Sequence, residues 1–245
     1  MEFYILASGS RGNCSVVKTK QTQLIIDCGT TWRYLRQEFD RHKIDYRKSD
    51  ALLITHTHSD HIAQLKKLAE LPKYTTFDLN DSNIVSFYKS FTVNDLYILP
   101  LALSHDCEKT TGYVISDINE KLVYITDTGY LSDKNKKHLK NADYYVLESN
   151  HDPIMLLNTN RPNMLKRRIL QDDGHLSNID CADSLCELIG PNTKEIVLAH
   201  LSQEANRPEI AYETLCDIFT INNVDYSNIK ISIASQNKSC RGGRL

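Results

Sequence analysis

The chain has 245 residues, 29 Lys+Arg against 31 Asp+Glu, a net charge of −2, and 41% hydrophobic with 24% charged residues. This balance suits one large domain or two small ones with a substantial core, and it excludes a disordered, collagen-like or coiled-coil chain. No apolar run approaches the roughly 18–20 residues of a membrane span, and MEFYILASGSRG lacks the basic segment and long apolar run of a secretion signal. The pattern then predicts strands FYILAS (3–8), CSVVKT (14–19) and QLIIDC (23–28), followed by an amphipathic helix over 30–42 with Trp32, Leu35 and Phe39 on one face. ALLIT (51–55) is a short buried strand, and IAQLKKLAEL (62–71) reads as helical. Strands follow at 96–103, 111–117, 121–126 and 143–148. Helices at 177–190 and 208–220 flank a strand at 195–200, and a last strand lies at 229–234. The order fits two packed sheets with helices outside, in one domain over 1–234. The polar, basic segment 235–245 reads as a mobile tail.

Seven cysteines are scattered without a C-x-x-C pair, which fits reduced thiols, a cytoplasmic setting and no membrane partner. Histidine is the informative residue. Of nine histidines, three stand in THTHSDHI, where His56, His58, Asp60 and His61 directly follow the buried strand 51–55. In an extended segment His56 and His58 share a side, while Asp60 and His61 begin the next turn, so the loop can serve two metal ions. Imidazole with carboxylate suits Zn²⁺, with Mn²⁺ or Fe as other candidates. Further ligands must come from other strand ends, and His105, Asp127 and His200 each follow an apolar strand.

Together these residues resemble the metallo-β-lactamase-fold superfamily over nearly the whole chain: IIDCG, THTHSDH, LSHD, TDTG and LAHLS stand as its successive motifs. The resemblance implies an α/β fold of the four-layer αβ/βα sandwich type. It implies that His56, His58 and His105 bind one metal and Asp60, His61 and His200 the other, with Asp127 bridging. Asp27 then supports the histidine loop, the other reading being a helix cap. LASGSRGNCSVV, ESNHDPIML, LKRRILQDDGHLSN and AHLSQEANRPE are similar to the YycJ/WalJ-like branch, which is associated with 5′→3′ exonuclease activity on DNA. GHLSN also resembles a loop of the tRNA 3′-processing endonucleases.

The expected chemistry is dinuclear phosphodiester hydrolysis through a metal-bridging hydroxide. Asp60, His175 and Asp27 are the expected catalytic residues, His175 contacting phosphate or protonating the leaving group, and Glu148 orients a neighbouring histidine. Arg11, Asn13, His151, Arg168 and Ser177 are the expected substrate contacts, with Arg167 beside them; His151 equally suits a support for the ligand histidines, and Ser177 also reads as the cap of the helix that follows. The partner is a nucleic acid, DNA by the resemblance, bound modestly and salt-dependently through a few arginines. A thioesterase, lactonase or β-lactam hydrolase is the alternative enzyme, because such metals polarise a carbonyl as well as a phosphate. A non-catalytic binding module is the alternative outside catalysis, although every ligand position is filled.

Overall fold

The computed structural model describes residues 1–244. In chain order, the first six strands are β1 (Glu2–Ala7), β2 (Cys14–Lys18), β3 (Gln23–Ile26), β4 (Ala51–Leu53), β5 (Lys73–Thr75) and β6 (Ser82–Ile84). The next seven are β7 (Phe91–Val93), β8 (Leu96–Leu103), β9 (Thr110–Ser116), β10 (Lys121–Ile125), β11 (Tyr144–Glu148), β12 (Glu195–Ala199) and β13 (Lys230–Ile233); β14 (Cys240–Gly243) follows. They form two seven-stranded sheets, ordered β14-β1-β2-β3-β4-β5-β6 and β13-β12-β11-β10-β9-β8-β7.

Continuous apolar strands arise here because each sheet is covered on both faces. Phe3 and Ile5 of β1 enter the core between the sheets, whereas Tyr4 and Leu6 meet Leu35 and Phe39 of helix α1 (Trp32–Arg41). In β10, Leu122 and Tyr124 point into the same central core, and Val123 and Ile125 point outward. The outward set packs on α3 (Asp133–Leu139), α6 (Asn178–Leu188) and α7 (Pro208–Ile221) through Leu139, Leu185 and Leu215. The layers are therefore helix, sheet, sheet, helix, as expected from the sequence. The short helices α2 (Ser59–Ile62), α4 (Pro153–Asn158) and α5 (Asn163–Ile169) lie in the connections.

Two local expectations are corrected. The helix anticipated over 62–71 is broken: α2 stops at Ile62 and a separate 3₁₀ turn spans Leu65–Leu68. The amide of Gln64 donates to the Cys28 carbonyl, 2.9 Å away, which ties the chain to the exit of β3 instead of continuing a helical ladder. The second correction is the basic tail. Residues Cys240–Gly243 form an edge strand antiparallel to β1, with Glu2 opposite Gly243 and Ile5 opposite Cys240. The Gly-Gly pair there is a packing requirement, since a Cβ on Gly242 would overlap the Phe3 ring. Gln236 adds an anchor by donating to the Gly12 carbonyl at 2.8 Å and accepting from the Arg11 amide at 2.8 Å. Leu245 lies outside the described residues.

Candidate metal centre

Strands β3 and β4 are parallel, as are β10, β11 and β12. Strand β8 runs with β10 because each is antiparallel to β9. Their carboxyl ends therefore gather at one edge of the sandwich, the place where α/β sheets bind ligands. Asp27, Asp127 and His200 follow β3, β10 and β12, and all three are left-handed, with φ of 58°, 61° and 57°. Asp and His tolerate this region better than most side chains. The turn breaks the pleat at the point where the side chain must leave the sheet.

The histidine loop is laced to the β3 exit by its backbone. Cys28 N donates to His61 O at 2.7 Å, Asn13 N to Asp60 O at 2.8 Å, and Gly29 N to Asn13 O at 2.9 Å. Asp27 accepts from the Thr55 amide at 2.9 Å and from the Thr55 hydroxyl at 2.8 Å, and its Oδ2 lies 2.8 Å from His61 Nδ1. The cap of α1 is Thr31, so Asp27 supports the loop and does not cap the helix.

Outer partners fix the ring orientations. His105 Nδ1 donates to the Gly174 carbonyl at 3.0 Å. His175 and His200 present Nδ1 to Glu148 Oε1 at 2.7 and 2.9 Å. His56 Nδ1 is 3.0 Å from the Thr55 hydroxyl. The Nε2 atoms of His61, His200 and His105 then lie 3.3, 3.4 and 3.9 Å from Asp127 carboxylate oxygens. Candidate ligand atoms of His56, His58 and His105 fall within 4.8 Å of one another, as do those of Asp60, His61 and His200. Asp127 groups in the same way with His56 and His61, and again with Glu148, His175 and His200, so it sits between the two sets.

The residues present fit metal ions. His56 Nε2, His200 Nε2 and Asp127 Oδ2 are buried without a hydrogen-bond partner, a cost of about 1–3 kcal/mol each unless a ligand satisfies them. Asp27, Asp127 and Glu148 bring buried carboxylates to one place, and buried charge of one sign demands a counter-charge. Without a metal that charge comes from protons. Burial opposes a charge on His200, yet the Asp127 and Glu148 carboxylates outweigh it and raise its pKa to about 9. Burial also opposes the ionised form of Glu148, but His175 and His200 bring it down to about 2. Asp127 is held well below the carboxylate range by His200 and His61 against the same burial penalty. His56, with burial dominant, is lowered to about 2 and stays neutral.

The sign follows. A protonated His200 stabilises the metal-free fold fully below its unfolded value of 6.5, and this contribution is lost as pH rises through about 9. Metal binding must expel that proton. We therefore expect chelator-competition titrations to show affinity for Zn²⁺ or Mn²⁺ tightening from about pH 6 to about pH 9. A flat profile would contradict the ligand role of His200.

The substrate contacts expected from the sequence are placed unevenly. Arg168 borders a cavity of about 400 Å³ whose wall includes His105 and His175, and it is ion-paired with Asp106. Arg11 is exposed on the loop whose Ser10 borders the same cavity. Asn13 is fully buried, and its Nδ2 lies 2.9 Å from His61 Nε2 and 3.4 Å from Asp60 Oδ2, so it positions the loop and does not face substrate. Ser177 caps α6, accepting from the Asp180 amide at 3.1 Å, and is 5% exposed. His151 is 1% exposed with both ring nitrogens unpartnered, and burial lowers its pKa to about 4; substrate contact is corrected here to a neutral interior group.

Sequence reasoning missed Arg161 and Asp106. Arg161 lines the cavity, with Nε donating to Glu204 at 2.9 Å, and the flanking NTNRPN carries no signal for it. Asp106 Oδ1 lies 3.2 Å from His105 Nε2 and 3.7 Å from His58 Nε2; its place beside His105 was a usable signal.

Residues 22–201 match the family model described as β-lactamase superfamily domain. Exodeoxyribonuclease YycJ of Bacillus anthracis is 36% identical over 227 residues, 86% of this chain and 86% of that one. Exodeoxyribonuclease WalJ of Streptococcus pneumoniae is 36% identical over 235 residues, 87% of this chain and 86% of that one. Among solved structures, the metallo-β-lactamase fold protein YhfI of Bacillus subtilis has a TM-score of 0.72 at 17% identity, covering 98% of this chain and 99% of that one. The short form of human tRNase Z has a TM-score of 0.66 at 14% identity and covers 98% of each chain; at such identities these two speak for the fold alone. The chain belongs to the β-lactamase superfamily and, within it, to the family of YycJ and WalJ.

Proposed function

We propose that this protein is a metal-dependent exodeoxyribonuclease that hydrolyses DNA phosphodiesters from the 5′ end, with two divalent ions, Zn²⁺ or Mn²⁺ (Fe as a further candidate), as cofactors. The observation that carries the reading is the cavity beside the ligand cluster, where Arg161 and Arg168 face a wall formed by His105 and His175. Guanidinium groups match the charge and fork geometry of phosphate and have no comparable role toward a neutral ester. The names of the relatives, 36% identical over most of the chain, support DNA as the substrate. No helix among the described residues is long and apolar enough to cross a membrane, and the seven cysteines are unpaired, in keeping with a cytoplasmic setting.

Bound at His56, His58 and His105 on one side and Asp60, His61 and His200 on the other, divalent ions would lower the pKa of water and neutralise phosphate charge. Asp127 spans both sets. Asp27 and Glu148 hold imidazole Nδ1 atoms and direct Nε2 toward the cluster. His175, fixed by Glu148 at Nδ1 and bordering the cavity, delivers a proton from Nε2 to the leaving oxygen.

The deciding assay incubates purified protein and Zn²⁺ or Mn²⁺ with end-labelled single- and double-stranded DNA, RNA and a generic thioester. The proposal fails if nucleic acid stays intact with every metal while the thioester turns over. Chelator treatment should abolish DNA cleavage, and added Mn²⁺ or Zn²⁺ should restore it. For His175→Gln we expect kcat to drop about 10²–10⁴-fold with metal content unchanged. Loss of metal together with activity would make His175 a ligand instead.

A further inference from the structure

We infer that Asp106 is a further ligand of the metal held by His56, His58 and His105, and that its carboxylate narrows the preference of this half of the centre for Zn²⁺ over Mn²⁺. The inference rests on the two-metal reading of the centre and adds a donor that neither the histidine loop nor Asp127 supplies. Asp106 follows His105 in the connection from β8 to β9. Its Oδ1 lies 3.2 Å from His105 Nε2 and 3.7 Å from His58 Nε2.

A carbonyl oxygen can only accept, so the 3.0 Å bond to the Gly174 carbonyl places the proton of a neutral His105 ring on Nδ1. Nε2 then carries a lone pair, and at 3.2 Å it faces the lone pairs of a carboxylate oxygen. Two acceptors this close repel each other unless a cation stands between them. The 3.7 Å separation from His58 is beyond a direct hydrogen bond. Shared coordination accounts for both spacings, because donors held about 2.0–2.2 Å from one ion lie about 3–3.6 Å from each other. His56 brings a buried, unpartnered Nε2 to the same cluster.

The other oxygen is already in use. Asp106 Oδ2 is ion-paired with Arg168 Nη2, from the last turn of α5. This pairing keeps Oδ1 turned toward the histidines and offsets part of the charge that Asp106 brings. The carboxylate therefore offers the metal one oxygen, and Arg168 positions it. Three imidazoles and one oxygen of Asp127 make four donors, the number Zn²⁺ takes in closed sites. A fifth donor that is hard and anionic suits ions that favour more oxygen and higher coordination, Mn²⁺ among them. Zn²⁺ still binds more tightly in absolute terms, since the general order of divalent affinities puts it above Mn²⁺. The effect of Asp106 is to bring the two closer.

Chelator-treated protein is titrated with Mn²⁺, followed by electron paramagnetic resonance, and with Zn²⁺ against a competing chelator. In Asp106→Asn we expect Mn²⁺ binding at one site to weaken at least about tenfold and Zn²⁺ binding no more than about threefold. The spectrum of the bound Mn²⁺ should change with it. Asp106 is exposed in its loop, so the melting temperature of the metal-free variant should stay at the wild-type value; Asp106→Ser serves if it does not. Arg168→Ala breaks the ion pair but leaves the carboxylate, and it should weaken Mn²⁺ binding less than Asp106→Asn does. Wild-type Mn²⁺ affinity in Asp106→Asn overturns the inference. So does an equal loss in Arg168→Ala, which would make Asp106 an anchor for Arg168 and no ligand. Equal losses of Mn²⁺ and Zn²⁺ overturn the shift in preference. If wild-type protein binds neither ion, the reading of the centre as a metal site falls with it.

Discussion

Replacing Asp127 by alanine should reduce DNA cleavage at least about a thousandfold, equivalent to about 4 kcal/mol of transition-state stabilisation, and should lower bound metal. The expectation comes from where the carboxylate stands. Its two oxygens lie 3.3 Å from His61 Nε2 and 3.4 Å from His200 Nε2, and 3.9 Å from His105 Nε2 and His175 Nδ1. Among the described residues, no other candidate ligand joins both halves of the cluster through a carboxylate so deeply buried. Asp127→Asn keeps the shape but removes the charge and one acceptor, so it should behave nearly as badly. Metal content by atomic emission and single-turnover rates check both variants. A fully loaded, active Asp127→Ala protein would remove the bridge from the site.

Gly29→Ala should be the most damaging small substitution in the chain, because it acts on the backbone that shapes the site. A Cβ at this position would coincide with the Asp60 carbonyl and press on the His61 amide. Neither neighbour can yield cheaply, since the Asp60 carbonyl already accepts from Asn13 N at 2.8 Å and the His61 carbonyl from Cys28 N at 2.7 Å. Forcing this contact open should cost about 3 kcal/mol and displace Asp60 and His61 together. Urea unfolding of the metal-free variant measures the first effect, and metal stoichiometry of the survivors the second. A variant that binds a full complement of metal at wild-type stability would show that the close approach is dispensable.

The central strands were legible because they are buried on both faces, which writes an unbroken apolar run such as YYVL before Glu148. The candidate ligands were legible because four ligand-type side chains crowd into THTHSDHI, which gives weight to single polar residues at the ends of other apolar strands. What the sequence hid depends on contacts from afar. Strand β14 reads Cys-Arg-Gly-Gly and owes its conformation to pairing with β1 and to the Phe3 ring. Helices α3, α4 and α5 have 7, 6 and 7 residues, too short for a periodic signal. Asn13 and Ser177 are residue types that suit substrate contact and structural support alike. Burial, which no local pattern reveals, assigns one to the histidine loop and the other to a helix end.

The pairing of β1 with β14 has a consequence for biosynthesis. A growing chain exposes the outer edge of β1 until β14, the strand that covers it, has been made. Such an open edge can recruit a strand from another chain. The order of synthesis also means that Asp27 and the histidine loop emerge long before Asp127 and His200, which complete the cluster. An assembling chain therefore lacks the last histidine of the cluster until 200 residues have been made.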